Sequence, residues 1–130
     1  MSTRYQQLRQ SVATLAEPAG EQALYLDLLH APLTGGGSAI DYGNDELALD
    51  LGETFIVAND LIEHGELTEA EAAAIRPLDE LLTKWSGREN ADFWRREALF
   101  DDRRWTKIRI LAAQALTHLP DEKRTVGRSA

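Results

Sequence analysis

The stretch Asp45–Glu66, "DELALDLGETFIVANDLIEHGE", is the strongest constraint on what this chain can become. Placed at 100° per residue, Leu47, Leu51, Phe55, Ala58 and Ile62 fall on one face, the pattern of an amphipathic helix and not of a strand. The other positions hold seven carboxylates and no Lys or Arg, with Glu69 an eighth just beyond. Asn44 suits an N-cap and Gly65 a C′ position, so the spacing predicts one helix from Asp45 to His64. Its apolar side must be core. Its other side must carry acid with no local base to offset it.

The rest of the chain reads as helix too. Tyr5, Leu8, Val12 and Leu15 predict a first helix over 4–16, ending before Pro18. Leu24, Tyr25, Leu28 and Leu29 predict a short second helix closed at the Ala31–Pro32 step, with a loop over 31–44 that includes the connector Gly35–Gly37. Thr68 and Glu71 have the spacing of a capping box for a fourth helix, and Pro77 predicts a kink or corner near Arg76. Gly87 stops that segment. A short helix over 90–99 carries Phe93 and Trp94. Asp101 or Asp102 caps a last helix whose seam is Trp105, Ile108, Ala112, Ala115, Leu116 and Leu119, and Pro120 ends it. The expectation is an all-α, single-domain bundle of five to seven helices over 1–120, with a proline-interrupted fourth helix, packed around the third and last helices. Residues 121–130 are polar and expected to form a disordered tail.

Charge divides along the chain. Residues 17–80 hold fifteen acids against the single base Arg76, a balance of −14, whereas residues 81–130 hold eleven bases and seven acids. The net charge of −8 repels phosphate and argues against nucleic acid as the main partner, leaving a basic protein as the better match. No apolar run reaches membrane-spanning length, and the N-terminus has no signal-peptide core, so a cytoplasmic bacterial protein is expected. With no cysteine, thiolate chemistry and disulfides are excluded.

On the projected third helix, Glu46, Asp50, Glu53 and Asp60 share one narrow stripe opposite the core face, together with Val57 and His64. Like charges at i,i+4 cost roughly 0.2–0.5 kcal/mol per pair. The stripe is therefore either a solvated face answered by Arg95, Arg96, Arg103 or Arg104, or a docking surface for a cationic partner. A third reading gathers Glu46, Asp50 and Glu53 around Mg²⁺, as in an all-α nucleotide hydrolase, but Glu66, Glu69, Glu71, Asp79 and Glu80 form no matching Glu-x-x-Glu set. His30, His64 and His118 each fall in the last turn of a predicted helix, where an imidazole complements the dipole. "TGGGS" lacks the Lys of a phosphate loop, and no nucleophile motif is present. In "RREALFDDRRWTKIR" the aromatics belong to the apolar seam. Trp85, Trp94 and Trp105 are expected in or at the edge of the core.

"DYGNDELALDLGETFIVANDLIEHGELTEAEAAAIRPLDELL" resembles the central segment of small bacterial immunity proteins found beside polymorphic and contact-dependent toxins, including the MafI-like group. Tyr42-Gly43 before the helix, the run Glu46–Leu49, the acids that follow, and Leu67, Thr68 and Glu71 carry the likeness. It spans about 40 residues of the 130. The resemblance implies a non-enzymatic toxin inhibitor, without cofactor or metal, that holds a basic toxin, such as a nuclease; the residues expected to carry that contact are Asp45, Glu46, Asp50, Glu53, Asp60 and Glu63. The alternatives are the metal-dependent hydrolase and a homodimeric helical scaffold.

Overall fold

A computed structural model describes residues 3–34 and 44–120, the stretch 29–34 by backbone alone. Among these the chain forms α1 (Arg4–Ala16), α2 (Ala19–Thr34), α3 (Asp45–Phe55), α4 (Ala58–Glu63), α5 (Glu69–Lys84), a 3₁₀ segment (Arg88–Trp94), α6 (Ala98–Asp101) and α7 (Arg103–Leu116). The result is an all-α, single-domain bundle with no strand among the described residues. The Gly35–Gly37 connector, Tyr42-Gly43 and the expected tail over 121–130 lie outside the described residues.

The bundle is organised on the last helix, α7, as expected, but with α1 rather than the third helix as its partner. α1 packs on both α7 and α3, and α7 packs on α5. Tyr5, Leu8, Val12 and Leu15 are all buried on α1, and Trp105, Ile108, Ala112 and Ala115 on α7. Each such Leu or Ile contributes about 1.5–3 kcal/mol by leaving water. α1 is the hub because it buries a full stripe of Tyr5, Leu8, Val12 and Leu15, whereas α3 buries only Leu47 and Leu51.

Several helix ends follow the sequence. The Thr68 hydroxyl accepts from the Glu71 N–H at 3.0 Å while the Glu71 carboxylate accepts from the Thr68 N–H at 2.8 Å, a reciprocal capping box. Asp102, not Asp101, caps α7 through the Arg104 N–H. Gly65 and Gly87 take φ of 73° and 110°, left-handed positions that end α4 and the turn after α5.

Four expectations change. α2 continues through Pro32 to Thr34, since a proline in the last turn removes only a terminal ladder bond. The 45–64 helix breaks at Ile56–Val57. The break shifts the helical phase, so Leu61 rather than Ile62 is fully buried, beside Ala58. α5 runs unbroken through Pro77. The carbonyl that would have bonded the missing N–H belongs to Ala73; both residues are exposed, so the lost bond falls on the solvent face of the helix and not in the core. Finally, the 90–99 helix is a 3₁₀ segment, a gap and the one-turn α6. Side chains take its carbonyls: Phe93 O accepts from the Trp105 indole at 2.7 Å, and Arg95 O from the buried Asn44 amide at 2.6 Å. Trp85, Phe93, Trp94 and Trp105 form one aromatic cluster, with Phe93 stacked on Trp105 at 4.6 Å. Trp105 is buried and Trp85 and Trp94 lie at the core edge, as expected.

A proline tolerated inside α5 still forgoes a backbone bond. Pro77→Ala is expected to raise unfolding stability by about 1–3 kcal/mol in a denaturant titration. An unchanged midpoint would show that the helix is not continuous there.

Candidate functional site

α3 presents its acids because its core contacts fix its rotation. Leu47 and Leu51 are buried. A polar seam beside them locks the helix to α1: the Ser11 hydroxyl donates to the Asp50 carbonyl at 3.2 Å, and the Thr54 hydroxyl to the same carbonyl at 2.9 Å and to Ser11 Oγ at 3.2 Å. Asp45 and Glu53 are then exposed, and Glu46 and Asp50 half-buried.

The six candidate residues divide into two groups. Asp45, Glu46, Asp50 and Glu53 stay together on α3. Asp60 and Glu63 sit beyond the break on α4, so the single stripe does not form. Asp60 is also answered. Arg4, at the start of α1, spans Asp60 and Glu66 at 2.6 Å each. Its hydrogen bond holds the Asp60 carboxyl below the usual carboxylate range. His64 caps α4, with Nδ1 2.8 Å from the Asp60 carbonyl; that carbonyl and then the Asp60 carboxylate raise its pKa. Arg4 was not among the cations expected to answer the acids, because its pairing links residues 56 and 62 positions apart.

Two of the four cations expected there go elsewhere. Arg96 pairs with Asp27 at 2.7 Å, and Arg104 with Asp92 and Asp102 at 2.9 and 2.7 Å. Asp50 gains a neutral donor, the Tyr25 hydroxyl at 2.6 Å, rather than a cation; burial and then this bond raise the phenol pKa. Among the described residues, no ion pair reaches Asp45, Glu46, Glu53 or Glu63. The Glu46 carboxyl is pushed up by burial and then by Asp45, Asp50 and Glu53. The repulsion legible in the sequence is therefore left standing in the fold.

The acids border an apolar groove between α3, α5 and the 3₁₀ segment, a feature no single-helix projection reveals. Its volume is about 1120 Å³. Ala48, Leu49, Gly52 and Ile56 line one side, with Leu82, Ala91 and Trp94 opposite; Asp45, Glu53, Asp79, Arg88 and Arg95 stand at its edge. Leu49 is 51% exposed and Ile56 82%. The sequence signal was Ile56 and Leu49, apolar residues off the core face.

No group of three or more His, Asp or Glu side chains among the described residues is placed to hold a metal ion. No described helix is long and apolar enough to cross a membrane. No family model matches the chain, and neither the curated proteins nor the solved structures contain a match.

A carboxyl whose pKa is higher folded than unfolded destabilises the fold when ionised; the penalty is full above the folded pKa and absent below the unfolded one. Glu46→Gln is therefore expected to raise the melting temperature at pH 7, with the gain shrinking as pH falls through the ordinary glutamate range. A lower melting temperature at pH 7 would show that Glu46 has a stabilising partner.

Proposed function

We propose that this protein is a non-enzymatic binding protein, an immunity protein of the MafI-like kind that blocks a basic toxin in the bacterial cytoplasm through the acidic face of α3. The observation that carries this reading is that Asp45, Glu46 and Glu53 have no ion-pair partner among the described residues, while Arg96 and Arg104 are committed to other acids. The contact set is accordingly centred on Asp45, Glu46, Asp50 and Glu53, with Glu63 at the margin. Asp60 belongs to the internal pairing with Arg4.

The chemistry suits an inhibitor of a phosphate-binding enzyme. A nuclease cleft is cationic, and carboxylates held on a rigid helix imitate the phosphate row. Complementary charge raises association rates, to about 10⁸–10⁹ M⁻¹s⁻¹ in steered cases. Docking would also relieve the repulsion around Glu46, so part of the interaction is prepared in the free protein.

The test is co-expression with the basic C-terminal domain of the large secreted protein expected from a neighbouring gene. That domain alone should arrest growth, and this protein should restore it. The triple variant Asp45→Asn, Glu46→Gln, Glu53→Gln should fold but weaken binding by about tenfold or more at low salt, with slower association. Full protection and unchanged affinity from the triple variant would contradict the reading.

A further inference from the structure

The groove beside the acidic face has a shape and charge pattern of its own. Its ends can be told apart. The Asn44 N–H donates to the Trp94 carbonyl at 3.2 Å, so the start of α3, with Asp45, lies at the 3₁₀ end beside Arg95. Ile56 follows the last turn of α3 and marks the other end. α5 leads into the 3₁₀ segment through Ser86 and Gly87, so Asp79, two turns earlier, stands away from the arginines. The floor is apolar along its length. Both walls carry acid, Glu53 on α3 and Asp79 on α5, and neither has an ion-pair partner among the described residues. The cations Arg88 and Arg95 are confined to one end.

Gly52 adds an independent observation. It sits inside α3, where glycine costs about 1 kcal/mol relative to alanine. A Cβ at this position would meet no atom within 4 Å, so no packing contact in the fold calls for glycine. Its backbone is not in the left-handed region either. What Gly52 does is leave a notch in the groove wall between Leu49 and Ile56.

We propose that this groove receives an amphipathic, basic α-helix of the partner, its apolar ridge in the notch and its Lys or Arg side chains against Glu53, Asp79 and Asp45. This rests on the cationic-partner reading above and specifies how the partner is held. α3 has 11 residues, which at 1.5 Å each gives a wall of about 16 Å, the length of three helical turns. Apolar side chains at i, i+4, i+7 and i+11 of an incoming helix span about that length. The partner helix lies with its C-terminal end at Arg88 and Arg95, because the negative end of its dipole meets cations there and its positive end meets the acids near Asp79.

A labelled, capped synthetic peptide of about fourteen residues, with leucines at helical spacing and lysines on both flanks, is the probe. A scrambled peptide of the same composition is the control, and anisotropy titration against the full chain is the readout. The amphipathic peptide should bind about tenfold or more tightly than the scrambled one. Gly52→Leu should keep or raise the melting temperature, since leucine favours helix over glycine, yet weaken peptide binding about tenfold. Ile56→Ser should weaken it without loss of helicity. A nitroxide at the peptide C-terminus should broaden the Ala91 and Arg95 amides and spare Ile56. If both peptides bind alike and Gly52→Leu changes nothing, the groove proposal fails while cationic docking on α3 stands. Failure of the amphipathic peptide to bind overturns the groove proposal as well, and the co-expression experiment then decides the broader reading alone. Self-association of the wild type that Ile56→Ser abolishes would assign the groove to a second copy and overturn the proposal.

Discussion

The seating of α3 on α1 determines what the rest of this surface can do. Leu47 and Leu51 enter the core, and hydroxyls from Ser11 and Thr54 converge on the Asp50 carbonyl beside them. A helix held by two buried leucines and a polar seam cannot rotate to bring its acids to a distant base. The carboxylates of Asp45, Glu46 and Glu53 therefore face outward by default, and the cost of gathering them falls on the free protein. The same rotation places Leu49, Gly52 and Ile56 along the groove.

Most of the helix content was legible because its signals are local. The seam of α1 repeats at helical spacing from Tyr5 to Leu15, and Thr68 with Glu71 is a capping pair three residues apart. The misread boundaries have tertiary causes. Periodicity carried the third helix past Ile56–Val57 because Ala58 and Ile62 continue the apolar phase. The chain instead breaks there and buries Leu61. Pro77 looked like a corner, and only the exposure of Ala73 and Pro77 explains why the helix survives it. The 3₁₀ segment depends on Asn44, some fifty positions away, whose buried amide holds the carbonyls of Phe93 and Arg95. No window of sequence contains both partners.

The candidate site was half visible for the same reason. A helical projection put Glu46, Asp50 and Glu53 on one stripe, and the fold keeps them together on α3. It also placed Asp60 with them, and the fold removes Asp60 to Arg4. In the basic C-terminal half, the obvious counter-charge, Arg96 and Arg104 turn out to be occupied with Asp27, Asp92 and Asp102. The groove needed two helices and a turn before it existed. Its trace in the sequence was slight: a glycine within a strong helix and two apolar residues off the core face. Neither means anything until the opposite wall, Asp79 and Leu82, is in place.

The central claim is that the carboxylates of α3 repel one another in the free protein, with no ion pair to Asp45, Glu46 or Glu53 among the described residues. Carbon-13 NMR of the Glu46 carboxyl across a pH titration, at low and at high salt, reads this most directly. The account predicts a midpoint above that of an ordinary glutamate at low salt, moving down as salt screens Asp45, Asp50 and Glu53. A midpoint at or below the ordinary value, insensitive to salt, would mean that a cation already holds this face and would contradict the account.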